Sequence, residues 1–441
     1  MLGIVVSRAD EASVHIGEQL REVADWTARE DGTRPDGDGG GTYYRTEGAE
    51  LRTFDGLHIE LEGAADPFGE VDLLAFASRH SGDTGPLLTA HHTGNVGPAE
   101  FGGAANRLAM AAPGALTSAL ESFEAHAPDG YDVGLECTHH GPSDLDVPSL
   151  FVEIGSEEPQ WRDPDAAEAA AGTILALRGV DPLPQRAFVG FGGGHYAPRF
   201  TRVVRETNWA VGHVAADWGL EAMGDPDPAL LQQAFDRSGA ELGVVDGDRP
   251  ELESAIEALG YRLVGESWLR ETSAVALGLV ERVEAELGPV DEGLRFGQPA
   301  RDGAPTSFDI VEPPPDLLSD ANGADADRVR QAADAHAVAY ETVESGSRVA
   351  GRVAVVDRAA WRRLESALVD VLRERFDAVA LEDDAIVATE RAFEPERARK
   401  LGVEPGPAFG RLAAGEPVDV GDERIDPEAV HVTRTRRYPR V

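Results

Sequence analysis

The feature that most limits the fold is an alternation: over roughly the first 265 residues, strand-sized apolar runs take turns with stretches of helical period. The runs lie at 2–7, 71–77, 86–90, 131–137, 149–154, 187–191, 209–214 and 242–246. Helix starts sit between them, at Asp163-Pro164, at Asp227-Pro228 with Gly239 closing, and at Pro250 with Gly260 closing. A proline at the first helical position costs nothing, because that N–H has no partner inside the helix. Such a chain folds as α/β: a mostly parallel, twisted sheet with helices on both faces. At 441 residues it exceeds one ordinary core, so two or three domains are expected.

Two stretches break the alternation. Residues 31–48, rich in Gly and Asp, read as a surface insertion. Residues 291–328, and 295–328 in particular, carry Pro, Gly and acid without period and read as a linker. Beyond it, 329–441 reads as a smaller α+β module with a helix at 358–374 and strands at 348–356 and 377–388.

Composition narrows the setting. The formal charge is −40, and Lys400 is the only lysine among forty basic residues. An acidic coat with almost no lysine is the style of proteins kept soluble in concentrated salt, which points to a halophile. At molar salt the Debye length is about 3 Å, so this charge does not exclude an RNA partner. Nothing points to DNA. No run of about 18 apolar residues exists, so no membrane span is expected. The segment MLGIVVSRAD has no basic stretch ahead of an apolar one and reads as a strand from the start. The cytoplasm is therefore the expected location, and a monomer the expected state. Cys137, the only cysteine, excludes a disulfide framework and a Cys-based zinc finger.

Histidines end three of the apolar runs. PLLTA stops at His91-His92, with Thr93-Gly94-Asn95 after it; YDVGLEC stops at Thr138-His139-His140; AFVGFGGG stops at His195. Ligands of open α/β sheets bind outside the carboxyl ends of strands, so these imidazoles are candidates for one crevice. Neighbours on a strand face opposite ways, so two adjacent histidines share a site only where the chain turns. Of Glu136 and Cys137, alternation sends one toward the crevice and the other toward the core; Cys137 is expected as a small buried apolar residue. His15 and His126 read as helix-surface residues, and His58, His80, His336 and His431 receive no role.

The stretch FVGFGGGHYAPRF, 188–200, matches neither common phosphate loop. A Walker loop needs a lysine, and a dinucleotide fingerprint needs glycine where His195 stands. Yet Arg186 to Arg205 holds four arginines and no acid, a local reversal of sign. Gly192, Gly193 and Gly194 allow close approach to the backbone and offer N–H groups to an anion. Arg199 is a candidate phosphate clamp, His195 a base or metal ligand, and Tyr196 a stacking or hydrogen-bonding group.

Three strings, GFGGGHYAPRFT (190–201), ECTHHGP (136–142) and TAHHTGN (89–95), together resemble the archaeal and plant type of D-aminoacyl-tRNA deacylase. The resemblance covers about 1–290. It implies a phosphorylase-like α/β fold with a part similar to peptidyl-tRNA hydrolase, and a zinc-dependent cut of the ester between a D-amino acid and the 3′-terminal ribose of tRNA. Carried over by motif are His91, His139, His140 and His195; His91, His139 and His140 are expected as the metal ligands, with His195 a ligand or general base. From their chemistry, His195, Gly193, Gly194 and Tyr196 are expected to be catalytic, and Asn95, Gly192 and Arg199 to bind substrate. Residues 291–441 resemble the extension of halophilic members. Within them, 401–418 is similar to a segment of tRNA 3′-processing ribonucleases. The tail 431–441 carries four arginines and no acid, for RNA phosphate or for the acidic body.

Histidine-rich ligation with little cysteine suits an open catalytic zinc site, and no Gly-x-Ser-x-Gly elbow offers a serine nucleophile. The rival readings are a metal-dependent esterase or amidase on a small metabolite, a phosphorylase or nucleosidase, and an RNA-binding module without chemistry.

Overall fold

The computed structural model describes residues 1–303, 305–421 and 423–441. Ala304, in the expected linker, and Asp422, in the expected C-terminal module, lie outside the described residues. The chain forms two compact units, Met1–Ser273 and Ala274–Val441. Among the described residues no helix is long and apolar enough to cross a membrane.

The first unit opens with β1 (Leu2–Ser7), α1 (Glu11–Val23), β2 (Thr27–Asp31), β3 (Gly41–Thr46), β4 (Ala49–Phe54), β5 (Leu73–Arg79) and β6 (Leu87–His91). Then come β7 (Gly94–Asn95), β8 (Arg107–Leu108), α2 (Pro113–His126), β9 (Asp132–Leu135), β10 (Ser149–Gly155), α3 (Glu158–Trp161) and α4 (Pro164–Ala176). It ends with β11 (Ala187–Phe191), α5 (Pro198–Glu206), β12 (Ala210–Ala215), α6 (Asp217–Met223), α7 (Pro228–Asp236), β13 (Leu242–Val245), α8 (Pro250–Ala258), β14 (Arg262–Leu263) and α9 (Glu266–Thr272).

Two sheets organise these elements. One has eight strands in the order β2-β3-β4-β1-β5-β10-β6-β9, the other four in the order β12-β11-β13-β14. β1, β5 and β10 are buried along nearly their whole length and pair in parallel, as expected of strands covered on both faces. The second sheet is parallel throughout. Helix starts follow the chemistry of their caps: the carboxylates of Asp10, Asp163 and Asp227 accept from Ser13, Asp165 and Ala229 N–H.

The insertion expected at 31–48 is only partly a loop. Its second half is β3, which pairs antiparallel with β2 and β4. Tyr43 lies under the guanidinium of Arg52 at 4.1 Å, a contact distant in sequence that gives the strand its hold.

The second unit begins with α10 (Leu277–Leu287), so the division falls after Ser273 rather than at 290. Arg352 donates to the carbonyls of Glu286 and Leu287 and holds this helix end within the unit. Next are β15 (Leu294–Phe296), α11 (Gln298–Asp302), β16 (Asp309–Val311) and α12 (Pro315–His336), with a break at Asp325. The expected linker is therefore largely regular structure. Its aperiodic look comes from polar residues buried by pairing: Asp320, 5% exposed, accepts from Arg375, Arg436 and Tyr438. There follow β17 (Ala339–Val343), β18 (Arg348–Val355), α13 (Arg358–Leu372), β19 (Ala378–Leu381) and β20 (Ala385–Phe393). The expected strand 377–388 thus splits into a hairpin, β19 with β20, turning at its acidic residues. The unit closes with α14 (Pro395–Lys400), α15 (Pro407–Ala413), β21 (Val418–Val420), β22 (Glu423–Ile425) and β23 (His431–Pro439). The tail arginines of β23 and after it meet acids of their own unit: Arg434 meets Glu394, Arg436 Asp320, Arg437 Glu382 and Asp384, and Arg440 Glu365.

Candidate active site

The site forms where the edge of the eight-stranded sheet meets the second sheet. β6 ends at His91, and its neighbour β9 ends at Leu135. The chain beyond β9 leaves the sheet and docks on the other one. Cys137 N–H donates to the His195 carbonyl (2.7 Å) and Thr138 N–H to that of Val214 (2.9 Å). Glu136 N–H still donates to the Ala90 carbonyl (3.2 Å), and Cys137 is buried as expected, but the two side chains flank one ring instead of dividing between crevice and core. Both reach His195, Glu136 Oε2 at 2.7 Å from Nε2 and Cys137 Sγ at 3.6 Å from Nδ1.

Three imidazoles converge at one end. The rings of His91 and His139 are 4.2 Å apart, those of His91 and His140 4.8 Å, and those of His139 and His140 4.4 Å. His139 and His140 share the site because His140 takes φ 46°, so the chain turns there. His91 ends β6 and His92 follows it directly, and the two face opposite ways. His92 is buried against the Gly212 carbonyl (3.0 Å) and the ring of His213, outside the cluster. Each of the three clustered rings has its Nδ1 beside a backbone carbonyl: His92 O for His91 (3.0 Å), Cys137 O for His139 (2.9 Å) and Gly141 O for His140 (2.7 Å). That fixes the proton on Nδ1 and turns the Nε2 lone pairs inward. His91 Nε2 is buried without a hydrogen-bond partner.

A proton-holding group lies at the other end. Glu136 is buried, with His195 at 2.7 Å, His80 Nδ1 at 3.2 Å and His139 Nε2 at 3.7 Å. Burial works against its charge, but the approach of His195 and His80 outweighs it and holds the carboxyl well below the usual carboxylate range. Burial likewise opposes charge on His195, yet Cys137 and Glu136 overcome it and carry its pKa up to about 10. Among the three imidazoles the balance reverses: burial, reinforced by His91, pushes His139 down to about 3, and burial lowers His140 well below its ordinary value. His91 itself is raised, since Glu153, with Oε1 3.6 Å from its Nε2, overcomes burial.

His80, Glu136 and Glu153 also stand in this cluster; His80 and Glu153 were not named from the sequence, and Glu136 only as one of two residues that could face the crevice. His80 received no role there, because it follows β5 as a single histidine; Tyr196 OH lies 3.1 Å from its Nε2. Glu153 had one available signal, an acid in the middle of an otherwise apolar strand, β10. It faces Thr89 across the β10–β6 ladder, and Phe151, two residues earlier, faces His91.

The glycine turn differs from expectation. Gly192 N–H donates to the Ala215 carbonyl (2.7 Å) and Gly193 N–H to Asp217 Oδ1 (2.8 Å). Gly194 has open space where a Cβ would stand. The arginines are matched by acids distant in sequence. Arg199 holds Asp246 Oδ1 (2.8 Å) and approaches Glu266 (3.4 Å), Arg202 holds Glu266, and Arg205 pairs with Glu124. Asn95 spends its amide on the Gly102 and Ala104 carbonyls, fixing a loop.

The family model of D-aminoacyl-tRNA deacylases matches residues 68–264. A D-aminoacyl-tRNA deacylase from Natronomonas pharaonis is 56% identical over 99% of this chain and 100% of its own length. The chain belongs to the D-aminoacyl-tRNA deacylase family. Family members from Halorubrum lacusprofundi (52% identical, over 100% of this chain and 97% of that protein) and Methanosphaerula palustris (34%, over 99% of each) agree. A crystal structure titled as a conserved protein of unknown function shares the fold, with TM-score 0.56 and 27% identity over 63% of this chain and 99% of its own. Family membership makes the chain a hydrolase, and every site residue from His80 to His195 falls inside the segment matched to the family.

Proposed function

We propose that the chain hydrolyses the ester between a D-amino acid and the 3′-terminal ribose of tRNA, with a zinc ion held by His91, His139 and His140. The observation that carries this reading is the convergence of three inward imidazoles beside a buried Glu136 paired with a half-buried His195 in a chain of this family. The donor set suits zinc: three imidazoles each fixed through Nδ1, His139 and His140 held neutral by burial, and the buried His91 Nε2 without a hydrogen-bond partner, facing Glu153 at 3.6 Å. Bound there, zinc supplies Lewis acidity that polarises the ester carbonyl and eases deprotonation of water near neutral pH.

The chain's own groups move the protons. Glu136, charged and at the margin of the imidazole cluster, takes a proton from the attacking water. His195, cationic at neutral pH, gives a proton to the departing ribose oxygen and regains one from Glu136 across 2.7 Å. Both groups end as they began; one water enters, and a free carboxyl group and a ribose hydroxyl leave. Gly194 N–H is the oxyanion donor of the turn, since Gly192 and Gly193 are engaged.

Deacylation of D- and L-tyrosyl-tRNA in molar KCl, with and without a chelator, tests this reading. Loss of the D-ester alone, stopped by the chelator and restored by zinc, is expected. Equal hydrolysis of small esters would replace it with a metabolite esterase. A rate indifferent to the chelator, from protein free of zinc, would remove the metal.

A further inference from the structure

Beside the site opens a cavity of about 380 Å³ that none of the chemistry above uses. Its wall includes Leu87, Thr89, Val133, Gly134, Tyr196 and Thr201. Thr89 lies two residues before His91 on β6, on the same face of the strand. Its side chain is fully buried, and its hydroxyl has no hydrogen-bond partner. Buried hydroxyls are almost always paired, so an unpaired one on a residue of a cavity wall leaves a partner for a ligand to supply. Tyr196 is the partition between cavity and chemistry: its hydroxyl meets His80, and its ring lies 4.9 Å from that of His195.

The lining excludes a phosphate. Arg205, the arginine of the wall, is spent on Glu124 and on the Val133 carbonyl (2.8 Å), and Asp132 adds a carboxylate. Small-molecule pockets begin near 300 Å³, a scale suited to a nucleoside base rather than to one side chain. An uncharged flat ring with a hydrogen-bonding edge fits: apolar Leu87 and Val133, the Thr89 hydroxyl, and an aromatic ring for stacking.

We propose that this cavity takes the adenine base of the substrate's 3′-terminal nucleotide, with Tyr196 stacking on it and Thr89 bonding its edge. The proposal rests on the tRNA-ester reading above, and it places the ribose that carries the ester beside His195.

Gly134 gives the test. A Cβ built there meets nothing within 4 Å, so Gly134→Val narrows the cavity without striking the protein, on a strand that favours valine. Adenosine, which carries no phosphate, is titrated calorimetrically at up to millimolar concentration. Wild type is expected to bind, and Gly134→Val to lose at least about tenfold in affinity with Tm unchanged or raised. Thr89→Val is expected to bind adenosine about tenfold more weakly while melting higher, because it deletes an unpaired buried hydroxyl. With D-tyrosyl- and D-alanyl-tRNA, Gly134→Val should raise KM by the same factor in both. A KM defect confined to the tyrosyl ester would make the cavity an amino-acid pocket and overturn the proposal, as would wild type that deacylates but shows no adenosine binding. Adenosine binding without deacylation would keep the cavity's ligand and sink the tRNA-ester function instead.

Discussion

The two ends of the crevice use one side chain in opposite ways. His139 and His140 are neutral, with one ring nitrogen committed to a carbonyl and the other facing inward. His195, its ring 4.7 Å from that of His139, is cationic. Burial opposes charge on all three, but His195 is less deeply buried than His139 and has both Cys137 and Glu136 as partners. Glu136 Oε2 stands 2.7 Å from His195 and 3.7 Å from His139. Depth of burial, the Cys137 contact and an ångström in the approach of Glu136 together separate a ring suited to hold a metal from a ring suited to hold a proton.

Removing members of each end sharpens that contrast. His139→Ala should abolish both zinc content and deacylation, while His195→Ala should keep its zinc and lose about 10²–10⁴-fold in kcat. Metal analysis beside single-turnover rates reads both, and loss of zinc in His195→Ala would merge the two ends into one metal site. Glu136→Gln comes next. It is expected to lower kcat by about 10³-fold and to return the His195 pKa toward its ordinary value, visible by NMR titration. Near-normal turnover in that variant would break the comparison, since the carboxylate would then make no difference between the rings.

What could be read from the sequence follows the range of the interactions. Strands such as β1, β10 and β11 were legible because they are buried on both faces and hence apolar throughout. The three histidine strings were legible because each ends a strand, where α/β sheets expose chemistry. Elements held by contacts distant in sequence were not. The strand β3 depends on Arg52, and helix α12 on arginines from α13's end and the tail. The arginines around the glycine turn looked like a positive corner because the acids that meet Arg199, Arg202 and Arg205, namely Asp246, Glu266 and Glu124, come from other segments. His80 was overlooked, and Glu136 left undecided between crevice and core, for the same reason, since a carboxylate shared by two rings shows only once the sheets meet.

The neutral histidines also carry a stability signature, smaller than the catalytic effects. Burial holds His58 at about 4, His92 at about 4 and His213 at about 3. Unfolding restores a pKa near 6.5, so the unfolded chain binds more protons between these values. The stabilisation from keeping them neutral is full above pH 6.5 and is lost as pH falls toward 4 and below. His58 alone accounts for on the order of 2–3 kcal/mol of that fall. Its ring packs edge-on to Phe76 and Phe151, so His58→Phe should flatten the drop in Tm between pH 6.5 and 4. An unchanged slope would place the acid sensitivity elsewhere. His195 runs the other way: its raised pKa contributes stability below 6.5 that disappears as pH climbs through about 10.

The smallest effect is expected at Arg199, and it tests whether charge around the glycine turn belongs to substrate or to the protein. A phosphate clamp would need a free guanidinium fork. Arg199 instead donates to the Val245 carbonyl (3.2 Å) and to Asp246 Oδ1 (2.8 Å), with Glu266 at 3.4 Å from Nε. Its side chain is 27% exposed, so the pair is worth well under the strength of a buried one, about 1 kcal/mol or less. Arg199→Gln should therefore lower Tm by a few degrees at most and leave KM for D-aminoacyl-tRNA within about twofold. Losing a charged contact to a tRNA phosphate would instead raise KM about tenfold or more, with the rise shrinking as salt screens it. A KM series from half-molar to three-molar KCl separates the two. A salt-dependent defect would return the turn to the substrate and leave Asp246 as the residue that parks the arginine between turnovers.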